Sequence, residues 1–302
     1  MKKNNSASRI SIQDLFYDIL IRIFLKLNVV EISVASMVCK SWNEICRNPL
    51  LWAKLDLSRL SSNAFNIPLL PDAWRGDLVS KCKLITCLKY ALRLSNYNTS
   101  CLVFNFFIYL QDAELIFIAK RTPNLKRLVL PFTGKLSNNA VDIAMKSWDS
   151  LESITITAMV KTSCIFSAIS KYCMTIYELK FTNYFGINDA DLVVQYTPNL
   201  KLLSVRNIMV NLRALCNILN SLEKLEVVNI CHGFIWDRVE GAVKAYTVRD
   251  LRNHLSLPCL RKLMFCNRRR CLRCINGNDP VRIPFGVFED IWREDEISSL
   301  AH

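Results

Sequence analysis

The sequence predicts an α/β solenoid that curves into a horseshoe behind a small helical amino-terminal unit. Three observations carry that prediction. A Leu-x-x-Leu-x-Leu unit recurs at Leu125, Leu151, Ile176, Leu200 and Leu222, at intervals of 26, 25, 24 and 22 residues. Helical segments stand between the copies. The first fifty residues carry two amphipathic stretches too short to bury their own apolar sides.

The amino-terminal unit starts with one helix. From residue 12 to 27, Leu15, Ile19, Ile23 and Leu27 recur every four residues, and Leu20 and Phe24 widen the stripe. Asp14, Asp18, Arg22 and Lys26 take the other side. A second helix is expected to begin near Val30 and to carry Ile32, Ala35, Val38, Cys39, Trp42 and Ile45, until Asn48 and Pro49 stop it. Two short helices with apolar faces either pack on the rest of the chain or offer those faces to a partner.

The stretch DLFYDILIRIFLKLNVVEISVASMVCKSWNEICRNPLLW combines a leading Leu, an Ile-x-x-x-Ile-Phe core, a Val-Cys-Lys-x-Trp segment and a closing Pro-x-x-Trp. In those spaced features it resembles the F-box family. The resemblance implies docking on a Skp-type adaptor and, through it, on a cullin. It places the contact on Leu15, Ile19, Ile23 and Phe24, with Val38 and Trp42 at or behind the docking surface. One position departs, because the family usually has Leu-Pro where this chain has Leu15 and Phe16.

The organisation expected is an F-box over 9–57, a helical connector over 58–98, repeats over 99–266 and a Cys/Arg-containing tail over 267–302. The connector helix is expected from about Asp77 to Leu94. Repeat intervals of 22 to 26 residues fall in the leucine-rich-repeat range, in which each unit gives a strand to a concave sheet and a helix to the convex back. A weaker early copy is Cys101, Phe104, Phe106, and a late one is Leu260, Leu263, Phe265. The segments DAELIFIAKRTP, NAVDIAMKSW and DADLVVQYTP start with Asp or Asn in capping position.

The repeat leucines are core, since no single repeat buries its own face and stacking joins them. Binding therefore falls to the alternate strand positions. Arg127, Val129, Thr155, Thr157, Glu178, Lys180, Ser204, Arg206, Lys224 and Glu226 are expected to line the concave face and to contact a protein target. Between Leu222 and Leu260 the interval widens to 38 residues, so an insertion near 231–256 with its own helix is expected, with Trp236 as its notable side chain.

In the tail, Cys271 and Cys274 form a CxxC, with Cys266, Cys259 and His254 upstream. Zinc sites show two tight ligand pairs, and here the second is loose, so no metal is expected. The Asn-Ile-Pro-Leu segment at 66–69, the TPNLKRLVLP repeat and the CLRC ending followed by DEISSL resemble a plant group of F-box leucine-rich-repeat proteins, over most of the chain.

Composition narrows the function classes. With 51% hydrophobic residues the chain can bury a large core, and 7 glycines leave no Gly-rich phosphate loop. The net charge of +13 suggests nucleic acid, but across residues 111–260 basic and acidic side chains alternate, which suits a protein target better than a phosphate backbone. The run from Arg261 to Arg273 gathers six basic side chains without acids between. Thirteen cysteines, an odd number set mostly within apolar segments, read as reduced packing thiols of an intracellular protein, cytoplasmic or nuclear. The histidines, His232, His254 and His302, sit in no catalytic motif, and no paired carboxylates appear, so neither catalysis nor a cofactor is expected. The function expected is target recognition for a Skp-cullin-F-box ubiquitin ligase. The alternative is a leucine-rich-repeat scaffold acting outside a ligase.

Overall fold

The structure, a computed structural model, describes residues 12–57, 78–104, 109–131, 134–157, 161–206, 208–247, 250 and 260–265. Cys259, Cys266, Cys271, Cys274, His254 and the basic run from Arg268 to Arg273 lie outside these residues, as does Phe106.

The amino-terminal unit contains α1 (Ile12–Phe24), α2 (Val29–Ala35), α3 (Lys40–Ile45) and a 3-10 turn at Pro49–Leu51. Helix α2 starts where Asn28 accepts from the amides of Val30 and Glu31, while Glu31 accepts from the amide of Asn28 at 2.7 Å. The single helix expected from Val30 to Ile45 is broken after Ala35, which corrects that reading. The cause is tertiary. Ser36 Oγ donates to Ser33 O at 2.7 Å and shares a hydrogen bond of 2.9 Å with Tyr90, while Asn43 Nδ2 occupies the Ser36 carbonyl. Tyr90 belongs to α4 (Leu78–Leu94), the connector helix, which runs as expected.

Among the described residues the strands, in chain order, are β1 (Lys54–Asp56), β2 (Cys101–Val103), β3 (Leu110–Gln111), β4 (Arg127–Val129), β5 (Gly134–Lys135), β6 (Ser153–Ile156) and β7 (Glu178–Phe181). They continue with β8 (Leu202–Ser204), β9 (Met209–Asn211), β10 (Val227–Asn229), β11 (Phe234–Val239), β12 (Ala242–Tyr246) and β13 (Lys262–Met264). Eight of them form one parallel sheet in the order β1-β2-β4-β6-β7-β8-β10-β13. The register sets Leu55, Leu102, Leu128, Ile154, Leu179, Leu203, Val228 and Leu263 side by side, and all but Leu263 are almost wholly buried. This is the middle apolar position of each repeat, and each such side chain contributes about 1.5–3 kcal/mol by leaving water. The fifth copy falls on Leu225, Val228 and Ile230, three residues later than expected, and the early one is centred on Leu102 and not Phe104, which corrects both frames.

The back layer is α5 (Asp112–Arg121), α6 (Asn138–Ser147), α7 (Thr162–Tyr172), α8 (Ile187–Tyr196) and α9 (Leu212–Ser221), each packed on the next. The caps sit upstream of the Asp and Asn expected to supply them. Ser137 accepts from Ala140 N, Glu114 closes on Gln111 N, and Asp189 closes on Gly186 N. Each helix then turns back to its strand through one repeated contact, as in Leu125 N to Thr122 O at 3.1 Å and Leu200 N to Thr197 O at 3.0 Å. Proline follows both threonines, where its fixed φ suits the turn.

The insertion opens on strands that were not expected. Residues 234–246 form an antiparallel hairpin of β11 and β12, and β9 pairs with the far side of β11; Asp250 is helical, and residues 251–256 lie outside the described ones. Glu240 and Gly241 at its tip have φ of 51° and 83°, the two left-handed positions that a two-residue hairpin turn requires. Phe234, Ile235, Trp236 and Val239 are aromatic or β-branched, the residue types that strands favour.

Candidate functional site

Helix α1 lies with Leu20, Ile21 and Phe24 buried, which turns Ile19 and Ile23 outward at 48% and 50% exposure. Val38, in the break between α2 and α3, is 62% exposed. These three expected contact residues are available to a partner. Phe24 is not: it is 2% exposed and meets Trp42 edge-on at a centroid distance of 5.3 Å, so its role is to support the face from beneath. Trp42 is half-buried in the same contact. The side chain of Leu15 lies outside the described residues.

The exposed apolar set is wider than expected. Phe16, Leu25, Val34, Met37 and Leu50 are also exposed in this unit. After α2 the chain tightens into turns, Met37 N to Val34 O and Val38 N to Ala35 O, and becomes extended at Cys39, which leaves Met37 and Val38 outward. Asn48 braces the unit by donating to the Tyr17 hydroxyl at 3.2 Å and by accepting from Leu50 N.

On the strand face the expected open surface is largely closed. Val129, Thr155, Thr157, Glu178, Lys180 and Ser204 are buried, which corrects their assignment as free contact residues. Alternation sets the direction of a side chain and says nothing about access to water at its tip. Arg127 reaches past Ser153 to Glu178, Nη2 to Oε2 at 3.0 Å, and charges expected to face a target face each other. Burial pushes the Glu178 carboxyl up in spite of that guanidinium. Thr155 Oγ1, Thr157 Oγ1, Ser204 Oγ and Glu178 Oε1 are buried without a hydrogen bond.

The remaining expected residues keep some contact with solvent. Arg206 is half-buried beyond β8. Lys224 lies in the turn before β10, where Nζ donates to Asn199 Oδ1 at 2.6 Å, and Glu226 pairs with Arg261 at 3.1 Å. Trp236 is half-buried on β11, its ring 5.8 Å from that of Tyr184.

Among the described residues no group of His, Cys, Asp and Glu is placed to hold a metal. Burial pushes the Cys46 thiol up to about 11 and that of Cys173 up to about 12, so both stay protonated as packing groups. No described helix is long and apolar enough to cross a membrane.

Comparison with known proteins agrees with this division. A model of the F-box-like family matches residues 12–58. Over 95% of both chains the sequence is 32% identical to F-box/LRR-repeat protein At3g48880 of Arabidopsis thaliana. The chain belongs to the F-box/LRR-repeat proteins. A second Arabidopsis thaliana relative, putative F-box protein At4g11580, is 26% identical over 95% of each chain. The leucine-rich repeat-containing protein LegL7 of Legionella pneumophila aligns over 76% of this chain and 98% of its own at 14% identity, with a TM-score of 0.31. Proteins of the F-box/LRR-repeat family are generally non-catalytic, and F-boxes generally bind Skp-type adaptors. In this F-box/LRR-repeat protein the exposed apolar set falls within the residues that the F-box-like model covers.

Proposed function

We propose that this chain is the target-recognition subunit of a Skp-cullin-F-box ubiquitin ligase, acting in the cytoplasm or nucleus. The carrying observation is the exposure of Ile19, Ile23 and Val38, with Phe16, Met37 and Leu50 exposed in the same amino-terminal unit. Such exposure is costly in water and ordinary at an interface. The adaptor covers these side chains and brings the cullin, and the repeats hold a protein target through positions that reach solvent, Lys224 and Glu226 among them. Chemistry takes place on other subunits. This chain contributes proximity, turning a bimolecular encounter into a reaction within one assembly.

The test is binding of the full chain to a purified Skp-type adaptor, beside the double variant Ile19→Asp, Ile23→Asp. Both side chains are surface residues, so the variant folds, and two carboxylates buried without partners cost several kcal/mol, more than about 100-fold in Kd. Wild-type binding is expected to change little between low and high salt, as an apolar contact does. Absence of wild-type binding would replace this reading with that of a scaffold working outside a ligase, for which the missing Leu-Pro at Phe16 speaks.

A further inference from the structure

Among the described residues the hairpin of β11 and β12 leaves a strand edge unpaired. Sheet order is β12-β11-β9, so β12 is paired on one side, and from Ala242 to Ala245 its residues are exposed. In a two-residue hairpin the pair flanking the turn exchanges both hydrogen bonds, and bonded and non-bonded pairs then alternate. The register sets Val239 opposite Ala242, Asp237 opposite Lys244 and Ile235 opposite Tyr246 as the bonded pairs. The amides and carbonyls of Val243 and Ala245 therefore point outward along the free edge.

The side chains beside that edge differ between its two faces. Val243 and Ala245 lie opposite Arg238 and Trp236, on the face where Trp236 packs against Tyr184. Lys244 lies on the other face, opposite Asp237. Asp237 is already engaged by Arg213 at 2.8 Å and by Asn211 at 3.3 Å. Lys244 makes no ion pair among the described residues, its ammonium resting over the Tyr246 ring at 5.2 Å.

We propose that β12 is a docking edge for an extended segment of a protein partner, in which acidic side chains alternate with apolar ones. Acidic positions meet Lys244, and apolar positions lie along Val243 and Ala245 beside Trp236. A second copy of this chain fits poorly. The antiparallel register that uses both free residues of each edge sets Val243 against Ala245 and thereby Lys244 directly against Lys244, and like charges so placed repel. Main-chain pairing supplies affinity and the alternate side chains supply selectivity. The partner is identified with the target of the ligase, an identification that rests on the function proposed above.

The probe is a fluorescein-labelled heptapeptide, Glu-Val-Glu-Val-Glu-Val-Glu, titrated into the full chain. Saturable binding is expected, with slowed amide exchange at Val243 and Ala245. Val243→Pro removes an outward N–H and none that pairs with β11, so it abolishes binding while circular dichroism and adaptor binding are retained. Lys244→Gln, which removes the charge without setting a second carboxylate opposite Asp237, weakens binding about tenfold at low salt. The same variant is expected to lose its preference for the Glu-Val heptapeptide over a Lys-Val one. Equal binding by a peptide of the same composition in two blocks, undiminished binding by Val243→Pro, absence of wild-type binding, or a chain dimer that Val243→Pro disperses would each overturn the proposal. Adaptor binding measured on the same protein separates this failure from failure of the ligase reading.

Discussion

Two buried side chains show how polar groups are managed inside the solenoid. Trp148 is wholly buried, and its indole donates to Thr122 Oγ1 at 3.0 Å, which in turn donates to Ile118 O. Thr122→Val keeps the shape and orphans the indole N–H, so it costs about 1–3 kcal/mol, read from urea unfolding. Glu178 behaves differently. Its carboxyl titrates above the ordinary 4.5 when folded, chiefly because it is buried. The folded chain then holds more protons than the unfolded one between the two values, and stability falls as pH rises through the raised pKa. Glu178→Gln is expected to remove that fall and to match or exceed the wild type at neutral pH. Arg127→Ala, which leaves the buried carboxylate alone, costs about 3–5 kcal/mol. Equal unfolding midpoints for the two variants at pH 7 would show that the pair is screened.

Within elements, Asn211 joins three of them. Its Oδ1 accepts from Ala214 N to cap α9, and its Nδ2 donates to Asp237 on β11. Burial alone would raise the Asp237 carboxyl, but the Arg238 amide, Arg213 and Asn211 together hold it below the usual range. Asn211→Asp keeps the cap and sets a carboxylate against Asp237. Melting temperature should drop at neutral pH and recover as the pH falls and one of the two is protonated; an unchanged pH profile would show that Asn211 acts through the cap alone. These elements were unequally legible in the sequence. The leucine ladder was readable because core positions repeat at a fixed interval and each must be apolar. The break after Ala35 was not, since it depends on Tyr90, 54 residues further on. The hairpin was missed although Gly241 stands between two runs rich in aromatic and β-branched residues, 234–239 and 242–246. On α1, Ile19 and Ile23 are exposed, as a contact role would need, and Phe24 is buried, because the stripe is wide enough for one edge to face inward and the other outward.

At the scale of the whole molecule, the amino-terminal unit and the repeats share a sheet. Leu55 pairs with Leu102, Leu57 N donates to Val103 O at 2.8 Å, and both Ser100 N and Cys101 N donate to Ala53 O. Deleting residues 1–57 uncovers the apolar side of β2 and leaves its outer edge unpaired, so the remainder should melt lower and bind a hydrophobic dye, where a bead-on-string arrangement would leave the repeats unchanged. Lys54 to Asp56 thus act as a weld. A chimera that exchanges F-boxes between such chains would keep its repeats sound only if the cut falls after this strand, or if the incoming unit brings a strand of its own. The bearing from docking face to target is then inherited with the fold instead of being set by a tether, and altering it requires adding or removing a whole repeat.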